Sequence, residues 1–163
     1  MINRKVVLDR YPESLPVAEV MSVQEEEARA PGDGEIQVAV EYLSIDAWIG
    51  TTLSPGWLHT LIPEGATVPA LGVGKVLASG SADFSEGDAV FGPFAAQTVA
   101  TVPAEGCSKV DTSLAGLSDY LGLLSVTTGL TALFGIRDVG QVQEGDTVVA
   151  VSYTHLRAHE TGR

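Results

Sequence analysis

The stretch that decides the fold runs from Leu71 to Ala100 and reads LGVGKVLASGSADFSEGDAVFGPFAAQTVA. Three short β-favouring runs lie within it, at residues 73–77, 89–91 and 94–99, and Gly, Asp, Ser and Pro separate them. Runs of this kind are typical of strands in a small, tightly turned antiparallel sheet or barrel. Gly87 is expected to adopt a positive φ in the second turn, because glycine alone does so without a steric penalty at Cβ.

Further strands are predicted upstream of this stretch. Residues 35–43 alternate, with Ile36, Val38, Val40 and Tyr42 on one face, which is the pattern of a half-buried strand. Residues 5–9 and 18–23 are two more candidate strands. The acidic run at residues 25–27 is expected to close the second of them as a solvated edge that blocks strand addition.

Residues 47–70 form a long connection that shows no sustained hydrophobic period and is interrupted by prolines and glycines. A connection of about twenty residues without secondary structure is uncommon and is often functional. Trp48, Trp57 and His59 lie in it. Two interpretations stay open: these side chains form a lid over a ligand pocket, or they cover the end of a barrel.

The character of the chain changes after Val110. Asp111, Thr112 and Ser113 offer a helix N-cap, and leucines follow at helical spacing at positions 114, 117, 121 and 124. A second short helix is predicted over residues 129–136. Residues 147–151 are apolar and β-branched, as in a strand buried on both faces at the start of a parallel sheet. The order indicates a β domain followed by an α/β domain.

Composition excludes several classes of partner. The chain has 163 residues and a formal net charge of −12, which disfavours nucleic acid and anionic membranes as partners. No apolar run approaches the roughly 18 residues of a membrane span. Cys107 is the only cysteine, so no internal disulfide can form, and a reducing, cytoplasmic setting is expected. With no base beside it in sequence, Cys107 is interpreted as a packed thiol.

Four motifs together resemble one family. They are YLSIDAW at residues 42–48, GVGKV at 72–76, DFSEGDAVFG at 83–92 and YLGLLSVTTGLTALFG at 120–135, followed by EGDTVV at 144–149. Residues 1–151 resemble the N-terminal, GroES-like portion of medium-chain dehydrogenase/reductases. The nearest branch is that of the zinc-independent NADPH enzymes of the prostaglandin reductase and alkenal double-bond reductase type.

The resemblance implies a mainly β protein of α+β class, with a partly open GroES-like barrel over residues 1–112. A helical segment and the first strand of a truncated Rossmann domain follow over residues 113–151. It implies NADPH-dependent reduction of a small-molecule enone or alkenal by a parent protein that is a homodimer. Residues 152–163 do not continue as a glycine-rich phosphate-binding turn, and they are interpreted as a non-native read-through tail.

The resemblance also implies two sets of site residues. Tyr42, Asp46 and Trp48 fall in the segment that lines the catalytic cleft, and Trp48 stands where the family usually has Tyr. Ala47 and Gly50 replace the usual Pro and Arg, which leaves the substrate class open.

On the cofactor side the resemblance implies Ser125, Thr127 and Thr131. The Thr131 hydroxyl is expected either to face the nicotinamide or to bond to its own helix backbone.

A catalytic zinc is not expected. It needs three Cys, His or carboxylate ligands, and residues 1–150 contain one Cys and one His. The Gly72–Val73–Gly74 segment carries Val where the zinc-dependent relatives place His-Glu. Two alternatives to the double-bond reductase stay open: a quinone-reductase-like enzyme fragment, and a free-standing GroES-like module that binds a partner without catalysis.

Overall fold

The computed structural model describes residues 1–13, 17–53, 60–125 and 127–149, with the backbone alone for residues 17 and 18. The chain divides into two compact units, of which the first is Met1–Ser125 and the second follows it. The predicted tail at residues 152–163 lies outside the described residues, as do Trp57 and His59.

The first unit is built mainly of short strands. They are β1 (Ile2–Leu8), β2 (Met21–Glu27), β3 (Glu35–Ser44), β4 (Leu71–Ser79), β5 (Ala89–Gly92), β6 (Val99–Pro103) and β7 (Ser108–Lys109). One α-helix, α1 (Ala47–Thr52), follows β3, and 3-10 turns lie at Val17–Val20, Ala104–Gly106 and Leu117–Leu121. The expectation of a mainly β protein with few helices is confirmed.

The strands form two antiparallel sheets. One contains five strands in the order β6-β3-β4-β5-β7, and the other pairs β1 with β2. Single bridges, Lys5 with Gln97 and Val7 with Thr67, tie β1 to the segments that flank the larger sheet. Over the part of the chain that is described the sheets stay open and do not close into a barrel.

Two apolar clusters stabilise this unit. The first lies on the larger sheet and comprises Ile36, Val38, Val76, Phe84, Val90, Phe94, Ala100 and Ala104. The second comprises Leu8, Val20, Ile49, Leu53, Val68, Ala70 and Ala96, and it joins β1 to α1 and the segment before β4. Burial of each fully buried Leu, Ile or Phe contributes about 1.5–3 kcal/mol relative to exposure, so both clusters favour the folded state.

The local predictions for the central stretch are largely confirmed. Strands β3, β4 and β5 form where alternation and turn residues place them. Gly87 has a φ of 87° in the turn before β5. The predicted strand over residues 94–99 is wrong, because Ala95 adopts a φ of 58°, which turns the chain sharply, and β6 begins only at Val99.

The acidic run at residues 25–27 forms the last three residues of β2, so the strand ends with it as expected. Glu25 pairs with Arg4 and Glu26 pairs with Lys5, at 2.8 and 2.6 Å, across the β1–β2 ladder. The predicted strand over residues 18–23 begins too early, because a 3-10 turn occupies Val17–Val20 and β2 starts at Met21. Cross-strand pairs between opposite charges stabilise a sheet, and sequence spacing alone does not reveal them.

The predicted helix over the leucines at 114–124 does not form. Only the 3-10 turn Leu117–Leu121 is present, and Leu114 is 77% exposed. The Asp111 carboxylate accepts hydrogen bonds from the N–H and hydroxyl of Ser113. The Tyr120 hydroxyl accepts from the Asp111 N–H and donates to the Asp111 carbonyl, at 3.1 and 2.7 Å. These local bonds replace the helix start that the sequence predicts.

Over its described residues, 127–149, the second unit contains one helix, which is α-helical at first and then π-helical. An α-helix, α2 (Thr128–Phe134), continues as a π-helical turn at Gly135–Val139, which confirms the predicted second helix. The predicted Rossmann strand is not formed over residues 147–149, and residues 150 and 151 lie outside the described residues. A strand exists only when a neighbour pairs with it, and Val148 and Val149 are exposed in this unit as described.

Candidate functional site

The segment that leads from β3 into α1 begins with a β-bulge. Val40 lies opposite Gly74 while Tyr42 lies opposite Val73, so Glu41 is an extra residue on β3. Adjacent residues of β4 point to opposite faces and cross-strand partners share a face. The bulge therefore moves Tyr42 to the opposite face from Val40, and the prediction that both share one face is wrong. The Tyr42 side chain is 51% exposed.

Asp46 begins the short helix α1. It occupies the N-cap with extended backbone, φ −103° and ψ 151°, and its carbonyl accepts from the Ile49 N–H at 3.1 Å. Its carboxylate makes no capping bond to the helix backbone. The side chain is therefore available for another contact.

That contact is with Trp48. The indole Nε1–H donates to Oδ2 of Asp46 at 3.4 Å, and the half-buried ring packs against the second apolar cluster. The structure thus brings together two of the three predicted cleft residues, Asp46 and Trp48. Tyr42 lies near the end of β3, on the strand that leads into them.

A glycine that sequence analysis did not assign to the site controls the approach of β4 to this segment. Gly72 pairs with Leu43, and a Cβ at Gly72 would lie 3.1 Å from the Tyr42 carbonyl oxygen and 3.1 Å from Leu43 Cδ2. A glycine inside a strand marks a close approach of another backbone, and the Gly-Val-Gly sequence at 72–74 was the signal.

The predicted cofactor residues fall in two units. Ser125 ends the first unit, is 3% exposed, and donates its N–H to the Gly122 carbonyl at 3.1 Å. Thr127 and Thr131 lie in the second unit, where the Thr131 hydroxyl donates to the Thr127 carbonyl. This bond is the backbone interaction that sequence analysis gave as one of two alternatives for Thr131. A role of these three residues toward a cofactor stays a prediction.

An open groove of about 350 Å³ lies at the junction of β1, β2 and β3. Its lining is mostly apolar and comprises Arg4, Lys5, Val6, Val23, Val40, Glu41, Leu43, Ala96, Gln97 and Thr98. Neither Asp46 nor Trp48 lines it, so the groove is a feature distinct from that pair.

Cys107 is an unreactive, packed thiol. Burial raises the pKa of its thiol to about 11, and its Sγ lies 3.7 Å from the Pro103 carbonyl oxygen. Only the thiolate is a nucleophile or metal ligand, so this cysteine packs rather than reacts at neutral pH. Among residues 1–13, 17–53, 60–125 and 127–149, no three His, Cys, Asp or Glu side chains are grouped as metal ligands would be. Across the same residues no helix has the length and apolarity needed to cross a bilayer.

The chain is similar to one family of protein domains and to several known proteins. Residues 4–110 match the family described as the N-terminal domain of oxidoreductase. The Bacillus subtilis protein YfmJ is 33% identical over 149 residues, which are 90% of this chain and 43% of that protein. The NADPH-dependent curcumin reductase of Escherichia coli is 30% identical over 154 residues, 93% of this chain and 44% of that enzyme.

A third relative is the NADP(+)-dependent 2-alkenal reductase of Nicotiana tabacum, 28% identical over 153 residues, which are 90% of this chain and 44% of that enzyme. Among solved structures, CurA from Vibrio vulnificus superposes with a TM-score of 0.76 at 27% identity, over 88% of this chain and 42% of CurA. The chain spans somewhat under half the length of the curated relatives it matches.

Proposed function

Because the chain belongs to the family of oxidoreductase N-terminal domains, we propose that it is the substrate-side part of an NADPH-dependent reductase. The reaction is reduction of a carbon–carbon double bond conjugated to a carbonyl, as in enones and alkenals. The observation that carries this proposal is the match to curcumin and 2-alkenal reductases, which extends over 90% or more of the chain. That match includes the β3–α1 segment with Asp46 and Trp48.

The chemistry of the residues proposed for the cofactor supports this proposal. NADPH supplies the hydride in reactions of this class. Ser125, Thr127 and Thr131 are hydroxyl residues of the kind that can bond to the carboxamide of a nicotinamide, and the Thr131 hydroxyl keeps its capacity to accept. The described residues 127–149 do not include a glycine-rich turn of the kind that binds a pyrophosphate.

The chain's own contribution is the shape of the substrate cleft. In the proposed enzyme Trp48 forms an apolar wall against which a planar conjugated substrate lies. Asp46 contacts that wall, and the bulge at Glu41 aims the Tyr42 side chain away from the first cluster. These groups bind and orient the substrate, which is where a protein adds most to cofactor chemistry.

The proposal extends to the location, oligomeric state and partners of the parent protein. We place the parent protein in the cytoplasm, on the basis of the single cysteine in this chain, and we expect it to be a homodimer that binds a small molecule. The net charge of −12 over the 163 residues of this chain argues against nucleic acid as a partner.

The test uses the full-length protein that carries this chain and follows loss of NADPH absorbance. A 2-alkenal and a cyclic enone should be reduced, while the saturated aldehyde and ketone of the same carbon skeleton should not. Faster turnover of a quinone than of either unsaturated carbonyl would assign the protein to the quinone reductases. The absence of NADPH oxidation with all of these substrates would refute the proposal.

A further inference from the structure

We infer that Asp46 is a positioning residue that fixes the orientation of the Trp48 indole, and thereby sets which substrate shapes the cleft accepts. The statement about the indole stands on the geometry alone. The consequence for substrate shape rests on the proposed function.

The hydrogen-bonding geometry singles out the Asp46 side chain. An N-cap aspartate ordinarily accepts from the N–H of the second or third helical residue. Asp46 makes no such bond, although its backbone has the extended conformation of an N-cap. Its Oδ2 instead accepts from the Trp48 indole at 3.4 Å. The carboxylate therefore orients a side chain rather than starting the helix.

The backbone beneath the indole is held by other bonds. The Thr51 hydroxyl donates to the Trp48 carbonyl at 2.5 Å, and the buried Thr52 hydroxyl donates to the Ile49 carbonyl at 2.7 Å. Ile49, 8% exposed, anchors α1 in the second cluster. With the backbone of α1 fixed, the indole can change direction only by rotation about its own side-chain bonds.

Packing restrains the ring on one side, and the Asp46 carboxylate restrains its N–H edge. The ring is half-buried and packs against the second cluster. A flat aromatic ring in that position presents a wall whose tilt decides how wide the adjacent space is. The 3.4 Å hydrogen bond from the indole N–H to the Asp46 carboxylate adds to the packing of the ring and favours one tilt over the others.

The decisive experiment measures the indole proton of Trp48 in the 163-residue chain by NMR. The sequence contains two tryptophans, so two indole N–H signals are expected, and Trp48→Phe identifies one of them. In Asp46→Ala this proton should shift and exchange with solvent about tenfold faster. Asp46→Asn keeps an oxygen acceptor without the charge and should give an intermediate rate.

The matched control is Glu41→Ala, which removes an exposed carboxylate five residues earlier and should leave the Trp48 proton unchanged. Unchanged exchange in Asp46→Ala, or equal rates in Asp46→Ala and Asp46→Asn, would overturn the inference. The exchange rate of the Trp48 indole proton in the wild-type chain is a second test, and it does not depend on whether the Asp46 variants fold. If its Trp48 proton exchanges as fast as that of free tryptophan, Asp46 does not hold the ring.

A second arm tests the consequence for substrate shape in the full-length reductase. Asp46→Ala and Trp48→Ala should each change the ratio of kcat/KM between a bulky and a small enone in the same direction. In the Trp48→Ala background, Asp46→Ala should change that ratio no further, because its action passes through the indole. Additive effects would overturn the positioning role. If the wild-type full-length protein turns over neither enone, the proposed function is refuted, and the conclusion from NMR about the Trp48 indole is unaffected.

Discussion

Substitution of Gly74 by alanine should strongly destabilise the first unit. Gly74 lies in β4, between β3 and β5, opposite Val40 on one side and Val90 on the other. A Cβ built at this position overlaps the Ala39 carbonyl oxygen, and it lies 2.9 Å from the Ala39 carbonyl carbon and 3.0 Å from Val38 Cγ1. Most of these atoms belong to backbone, so rotation of a side chain cannot remove the overlap.

The size of the expected loss in unfolding free energy follows from the movement of β3 away from β4 that a Cβ at residue 74 requires. Overpacking a core ordinarily costs about 1–3 kcal/mol. Separating β3 from β4 also weakens one or two ladder hydrogen bonds, at about 1 kcal/mol each. We therefore expect the free energy of unfolding to fall by about 2–5 kcal/mol, a large part of the roughly 5–15 kcal/mol that stabilises an ordinary domain. Urea denaturation followed by far-ultraviolet circular dichroism measures this loss.

The matched control is Gly50→Ala in α1. A Cβ at Gly50 meets no atom of the described residues within 4 Å, and alanine in a helix is favoured over glycine by up to about 1 kcal/mol. This variant should be as stable as the wild type or more so. If Gly74→Ala unfolds within about 0.5 kcal/mol of the wild type, a typical tolerance for surface changes, the close approach of β3 and β4 is not as described.

Two further predictions concern the junctions between strands. Asn3 is 3% exposed, and its Oδ1 accepts from the Val99 N–H at 3.0 Å. Asn3→Leu should therefore cost about 1–3 kcal/mol of unfolding free energy by calorimetry, whereas Ser22→Ala, which removes an exposed bond to Asp9, should cost under about 0.5 kcal/mol. Arg29 lowers the pKa of Glu35 from 4.5 to about 2, so this ion pair stabilises the folded chain above pH 4.5 and is lost as the pH falls toward 2. Urea midpoints measured across that range should fall less steeply for Glu35→Gln, and equal slopes would contradict the assignment.

The residues of the candidate site can be predicted in part from the sequence, but their contacts and orientations cannot. Asp46 and Trp48 were identified by a motif, and the structure brings them into contact. Their relation as acceptor and donor was not predicted, because it depends on how α1 packs against the second cluster. The face on which Tyr42 lies was predicted wrongly, since the bulge at Glu41 depends on the pairing of β3 with β4.

The sequence by itself determined the features whose causes are local. Alternation specifies β3, turn residues separate β4 from β5, and Gly87 takes the positive φ that glycine alone tolerates freely. Only the tertiary structure decided where partners distant in sequence meet. Arg4 and Lys5 pair with Glu25 and Glu26 of β2, 21 residues later, and the Asn3 Oδ1 accepts from the Val99 N–H, 96 residues later. Strand register, ion pairs and side-chain bonds are formed between residues far apart along the chain, so no local pattern encodes them.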